Sequence, residues 1–287
     1  MTDTAQHLAE PPRAALTVEV GRRLTSAPLP KPLAALRSAS KKVAWTAFEA
    51  RLVTTPLRYA YRELVSPTTA DYTLRNGGTR FSVRHRSGDV DIFRKFYAYR
   101  YYEWPAAVTA KLGALDRPLK VVDLGANIGF FQVHARGQMP IGDVTCFEPE
   151  PSNAGVLEHV RDINGGAWRI IRACASNAQG VVRFRTGGHN FSRIEDDGDL
   201  EVPALDVFPI VRDADLVKMN IEGSEWEILE DPRLARNSAV WIVEYHRMRN
   251  PDPDITSLVR RQFERAGFET HLAMSVEDNG LLWAWKQ

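Results

Sequence analysis

Apolar residues change period several times along the chain, and each change marks an expected element. The strongest run is 119–124, LKVVDL, which reads as a buried strand. It enters a turn holding Gly125 and Gly129, and an apolar helix follows over about 129–138. The alternation continues with a strand at 143–148, a helix at about 152–163 and a strand at 168–174. After a polar, Gly-rich loop at 186–200, strands resume at 216–221 and 239–245, then a helix at about 254–266 and a strand at 268–273. The turn Glu277-Asp278-Asn279-Gly280 leads to a last strand at 281–286. Strands joined so tightly run antiparallel. The expected fold is α/β, Rossmann-like: a seven-stranded, mostly parallel sheet closed by an antiparallel C-terminal hairpin.

Upstream of this unit the pattern differs. Residues 1–30 hold Pro11, Pro12, Pro28 and Pro30 among small residues and read as a flexible lead. Helical spacing of Leu33, Leu36, Val43, Ala47, Leu52 and Leu57 predicts one or two helices up to about residue 66, broken at Pro56. We therefore divide the chain into an extension, 1–70, and a main domain, 71–287, whose cofactor-binding core is 119–287. Alternating runs at 72–74 and 79–83 around Asn76-Gly77-Gly78 predict a hairpin, and a third short strand is expected at 90–93. A helix interrupted near Pro105 then carries Phe96, Tyr97, Tyr99, Tyr101, Tyr102 and Trp104, which read chiefly as packing, although the segment from Tyr97 to Trp104 is also where an acceptor is expected to approach.

Composition narrows the classes. The chain has 287 residues, 44% hydrophobic and 25% charged, with a net charge of +1. No global field favours nucleic acid. Cys146 and Cys174 lie in apolar segments and read as buried thiols in a reducing compartment. No run is long enough to span a membrane, and the first residues lack a signal-peptide pattern, so the expectation is a cytoplasmic protein. Residues 1–70 carry ten Lys/Arg and five Asp/Glu. A basic amphipathic helix there could touch an acidic membrane surface. The plainer reading, which we prefer, is a solvated face packed on the core or on a second subunit as a homodimer.

The turn after the first core strand carries the chemistry. The spacing Gly125-x-x-x-Gly129 departs from G-x-G-x-x-G, and Asp123 just before it suits a cationic ligand better than a pyrophosphate. Glu148 lies 19 residues past Gly129, where a ribose-binding carboxylate is expected. Together these point to S-adenosylmethionine (SAM) rather than NAD, an NAD-dependent oxidoreductase being the lesser alternative. The cofactor-binding candidates are Asp123, Gly125, Asn127, Gly129, Glu148, Asn153 and Ser176, the last placed to meet adenine. Glu150 reads as an exposed neighbour.

The blocks VVDLGANIGFFQVHA, FEPEPSN, LVKMNIEGSEWEIL and VWIVEYH, in this order, resemble the FkbM family of SAM-dependent methyltransferases. The resemblance covers about 71–285 and includes Asn190-Phe191-Ser192, similar to the family's N-x-S element. It implies O-methylation of a hydroxyl on a sugar or small natural product, with that small molecule as the partner. Where the family's K-x-D-I-E-G block carries Asp, this chain has Asn220. Asn can hydrogen-bond but cannot act as a base. A degenerate, SAM-binding regulatory or scaffold protein is the alternative this raises.

An alcohol acceptor must lose a proton, so the catalytic candidates are Glu222, His246, His189 and Asn220. Glu225 sits beside them after the same strand. A divalent metal on Glu222, Glu244 and Asn220 is not expected, and there is no zinc pattern.

Overall fold

The structure is a computed structural model that describes residues 31–187, 192–248, 250–276 and 279–287, with side chains from residue 39 onward. Helices α1 (Lys31–Leu52) and α2 (Pro56–Leu64) pack together, and Pro56 starts the second helix at a position where a missing N–H costs nothing. Strands β1 (Thr69–Thr73) and β2 (Arg80–Arg84) form the expected antiparallel hairpin.

The expected strand at 90–93 is instead the middle of helix α3 (Gly88–Tyr97). The Ser87 side chain caps it by accepting from the Asp89 N–H, and Asp89 and Asp91 lie in the first turn, where negative charge is favoured. The helix ends at Tyr97, so Tyr101, Tyr102 and Trp104 belong to the connection before α4 (Ala106–Gly113). The aromatic segment does pack: Phe96 stacks on Tyr102 with centroids 4.2 Å apart, and Phe93 on Phe130 at 5.7 Å.

The core follows the expected order. Strand β3 (Leu119–Leu124) leads to α5 (Phe130–Arg136), β4 (Ile141–Phe147) to α6 (Pro151–Ile163), and then comes β5 (Arg169–Ile171). The expected single strand at 168–174 is two, because the chain leaves the main sheet after Ile171 and resumes as β6 (Cys174–Ser176) in a second sheet. That sheet has the order β6-β9-β7-β8, with β7 (Gly180–Arg185), β8 (Arg193–Ile194) and β9 (Leu200–Asp206). The reading of 186–200 as one loop is corrected accordingly: β8 lies inside it and pairs with β7.

After the short helix α7 (Phe208–Val211) come β10 (Leu216–Met219), α8 (Glu225–Leu229), β11 (Val240–His246), α9 (Ile255–Arg265), β12 (Glu269–Val276) and β13 (Asn279–Trp285). The main sheet has seven strands in the order β12-β13-β11-β10-β3-β4-β5. Only β13 runs against its neighbours β11 and β12.

Strand alternation sends successive side chains to opposite faces. Val121, Leu216, Val240, Ile242 and Trp283 join one core layer, and Val122, Leu124, Val217, Met219, Trp241 and Val243 join the other. Both faces are covered, which explains why β11 is buried throughout. Ala50, Val53 and Tyr59 from the helical extension share the first layer with Val121 and Phe130. Both cysteines are buried and free. Among the described residues, no helix is long and apolar enough to cross a membrane.

Candidate active site

Registry aligns the strand ends that build the site. Met219 pairs with Leu124, and Leu124 with Phe147, so β10, β3 and β4 finish level. Ligands of open α/β sheets bind at this edge. It opens into a cavity of about 590 Å³. One end is floored by the turn after β3, where the Gly125 and Ala126 N–H groups donate to the Phe147 carbonyl at 3.0 and 2.8 Å. Gly125 has φ +80°, and a Cβ there would lie 1.9 Å from the Asn220 carbonyl oxygen. Only glycine lets the two turns approach this closely.

Glu148 lines the same end, buried, with each carboxylate oxygen holding one backbone N–H: Asn127 at 2.6 Å and Glu150 at 2.9 Å. Burial pushes its carboxyl up to about 7, against the pull of those two donors. Asn127, at φ +50°, and Asn153 also line the cavity, and the Asn153 Oδ1 accepts from Arg84 at 2.7 Å. Phe147, Pro149, Ala173, Cys174 and Ala175 supply an apolar slot.

Three residues expected to meet the cofactor lie off the cavity wall. Asp123 is wholly enclosed beneath the turn, taking the Gln132 amide at 2.6 Å and pairing with Lys218 at 3.0 Å. It alternates with Val122 and Leu124 and so points inward, where the Lys218 ammonium, also bonded to the Gly125 carbonyl at 2.5 Å, answers its charge. Gly129 faces α6, with the Leu157 Cδ1 3.0 Å from where its Cβ would be. Ser176 is turned toward Ala178, and its neighbour Ala175 takes the place on the wall. Glu150 is buried rather than exposed, and one of its oxygens accepts from Gly187 N–H at 3.1 Å and the Ser192 hydroxyl at 2.9 Å, holding both sides of the 188–191 segment. His189 and Asn190 lie outside the described residues.

The other end is built by the turn after β10 and the end of β11. Glu225 is fully buried and shapes that turn by accepting from the Ile221 N–H at 3.1 Å and the Gly223 N–H at 2.9 Å. It also meets the His246 Nδ1 at 3.1 Å, and the His246 Nε2 lies 3.7 Å from Glu222. Glu222, at φ +51°, lines the cavity. Burial pushes its carboxyl up to about 7; Glu244 and Glu225 add to this, while His246 opposes it. Burial works against the His246 proton, but the Glu225 hydrogen bond and three nearby carboxylates outweigh it and raise the imidazole to about 9. His246 is therefore a cation at neutral pH, not the neutral base its ordinary value suggests.

Glu244 accepts from Lys95 at 2.8 Å, the Tyr102 hydroxyl at 2.7 Å and the Asn220 amide at 3.1 Å. Burial disfavours its charge, yet Lys95 and the other donors hold its carboxyl below the usual range. Asn220 lines the cavity, its NH2 held by the Glu244 carboxylate, and its Oδ1 is buried with no hydrogen-bond partner among the described residues. Among the described residues no three His, Cys, Asp or Glu are grouped to hold a metal ion.

Residues 123–270, which hold both ends of this cavity, match the methyltransferase FkbM domain. The chain belongs to the FkbM methyltransferase family. Its seven-stranded sheet, parallel but for β13, is the architecture of class I SAM-dependent methyltransferases. The FkbM methyltransferase of Methylobacillus flagellatus aligns at 15% identity over 87% of this chain and 60% of its own, with a TM-score of 0.44. A precorrin-6y C5,15-methyltransferase from Geobacter metallireducens aligns at 16% identity over 63% of this chain and 86% of its own, with a TM-score of 0.39. A SAM-dependent methyltransferase from Agrobacterium tumefaciens aligns at 12% identity, covering 76% and 70%, with a TM-score of 0.42. None of the curated proteins matches the sequence.

The family implies SAM, and this FkbM site fits it. Glu148 retains acceptor capacity for ribose hydroxyls beyond its two backbone donors. The apolar slot suits a purine. Lys95 went unread as a site residue in the sequence, and Tyr102 was read only as part of the aromatic segment 97–104 expected near the acceptor. The signal of both was position: they flank the end of α3, and the fold brings both to Glu244.

Proposed function

We propose that this FkbM methyltransferase transfers a methyl group from SAM to a hydroxyl of a small polyhydroxylated acceptor, a sugar or natural product. Bound SAM would supply an electrophilic methyl on a sulfonium, with Glu148 holding its ribose and the 173–175 segment its adenine. The acceptor would enter at the end lined by Lys95, Tyr102, Asn220, Glu222 and His246. The single observation behind this reading is Glu222: a carboxylate on the cavity wall, buried enough to be raised to about 7. A base with that pKa suits proton removal near neutral pH. The cationic His246, 3.7 Å away, would hold Glu222 in its ionised form before proton transfer.

Asn220 bears on the degenerate alternative. Its amide donates to Glu244 at 3.1 Å, so an Asp at this position would set two carboxylates against each other. Asn220 thus serves the site as a hydrogen-bond donor and not as the carboxylate the family carries there. The test begins with calorimetric titration of S-adenosylhomocysteine, the demethylated product. Micromolar binding that is lost in Glu148→Ala supports the cofactor assignment, and absence of binding overturns it. Turnover on hydroxylated acceptors, abolished in Glu222→Gln, supports the rest; SAM binding without turnover on any of them returns the degenerate reading.

A further inference from the structure

Helix α2 presents an apolar stripe to solvent. Leu57, Tyr61 and the following Val65 are 85%, 53% and 64% exposed, four residues apart and hence on one face. Beside that stripe runs a second row, Arg58 and Arg62, with the Arg62 guanidinium 6.0 Å over the Tyr61 ring. The neighbouring α1 adds exposed Lys41, Lys42, Arg51 and Val43.

Within residues 39–68 the exposed charge has one sign; the nearest acids from other elements are Asp71 and Asp91. Among described residues 39–68 the acids are Glu49 and Glu63, and both are buried. Glu49 turns inward to Tyr59 and Arg94. Glu63 turns inward to His85 at 3.0 Å and the Arg86 N–H at 3.1 Å, with Lys42 at 3.5 Å. Core packing has therefore removed the negative charges from the face and left the cations outside.

We propose that the outer face of α1 and α2 docks on an anionic lipid surface, the apolar stripe entering the headgroup boundary and the flanking cations meeting the lipid charges. An apolar row beside a basic row is the arrangement that lies in a membrane interface. Two other occupants fit less well. A second copy using the same patch would set Lys41, Arg51, Arg58 and Arg62 against their like across a two-fold axis. Residues 1–30 carry three Arg and three Asp/Glu, with no acidic excess to answer the face. The stripe also argues against a polyanion such as nucleic acid, which offers nothing apolar to Leu57 and Val65.

The test is co-sedimentation of the full chain with phosphatidylcholine vesicles, with and without roughly a third phosphatidylserine. The expected result is binding to the serine-containing vesicles alone, weakened by salt. Two double variants separate the contributions, Leu57→Asp with Val65→Asp and Lys41→Glu with Arg51→Glu. Each should lower partitioning by about tenfold or more while leaving S-adenosylhomocysteine affinity unchanged, which shows that the fold is intact. The proposal is overturned by equal affinity for both vesicle types, by no affinity for either, or by partitioning that neither variant alters. Loss of a dimer in Leu57→Asp with Val65→Asp, without vesicle binding by the parent, also overturns it and assigns the face to a second copy.

Discussion

Glu222 and His246 both titrate above their ordinary values. Burial lifts the Glu222 carboxyl to about 7, and carboxylates lift the His246 imidazole to about 9. The methyl-transfer rate should therefore climb as pH rises through about 7, when Glu222 gains its charge, and fall above about 9, when His246 loses its own. A kcat/KM profile on any accepted substrate checks this, and Glu222→Gln should lower kcat by about 10²–10⁴-fold and remove the acid limb. A flat profile between pH 5 and 8 would remove Glu222 as the base. The same groups link to stability. The folded His246 value lies above the ordinary 6.5, so its stabilisation is complete below that value and disappears as pH rises through about 9. Its magnitude is about 3 kcal/mol. His246→Gln should accordingly cost much more stability at pH 6 than at pH 9.5, as read by urea unfolding. For Glu222 the shift has the same sign: ionisation above its ordinary value of 4.5 burdens the folded state, increasingly up to about 7. Glu222→Gln should thus be relatively more stable at pH 8 than at pH 5.

Between elements, the decisive contact joins the turns after β3 and β10. Gly125→Ala would drive a Cβ to 1.9 Å from the Asn220 carbonyl, so one turn must move. That variant should lose S-adenosylhomocysteine binding in calorimetry even where circular dichroism shows retained secondary structure; binding within threefold of the parent would contradict the close approach. Lys218 ties the strands below, bridging Asp123 and the Gly125 carbonyl. Lys218→Met leaves Asp123 enclosed without its cation and should cost about 3–5 kcal/mol in urea unfolding. What the sequence made legible follows from burial. Strands β3, β10 and β11 are continuous apolar runs, and they appear within a residue or two of their expected places. Strands β7 and β9 went unread because an exposed sheet leaves a mixed pattern, with Val181 69% exposed and Pro203 within β9. The place of Glu148 on the cavity wall was legible through its spacing from the glycine turn, and that of Glu222 through its position after a strand. The enclosure of Asp123 was not, because it depends on Lys218 from a strand 95 residues later. The same reason hid Lys95, whose bond to Glu244 exists only where α3 meets β11.

For the molecule as a unit, the expected division at about residue 70 meets a core that crosses it. Val53 and Tyr59, both fully buried, belong to the layer that also holds Phe93, Phe130, Val121 and Ile242. Tyr59 touches the Tyr72, His85 and Phe93 rings at 5.1, 4.9 and 6.0 Å, and its hydroxyl donates to Glu49. A layer shared in this way couples the helical extension to the sheet, so the two should unfold together. Tyr59→Ala discriminates between coupled and separate units. It empties an aromatic site at a cost of about 3–5 kcal/mol and leaves the Glu49 carboxyl without its hydroxyl donor. If the extension and the sheet are one cooperative unit, that loss is felt by the most protected amides of β11, distant in sequence but in the same layer. Hydrogen exchange followed by mass spectrometry should then show β11 peptides losing as much protection as those of α2. Faster exchange confined to α1 and α2, with β11 unchanged, would establish the extension as a separate unit. The first outcome carries a consequence for the site: Asn220 directly follows β10 and Glu244 lies in β11, so a change in α2 that disturbs this layer should also weaken cofactor binding, although it touches none of the cavity's residues.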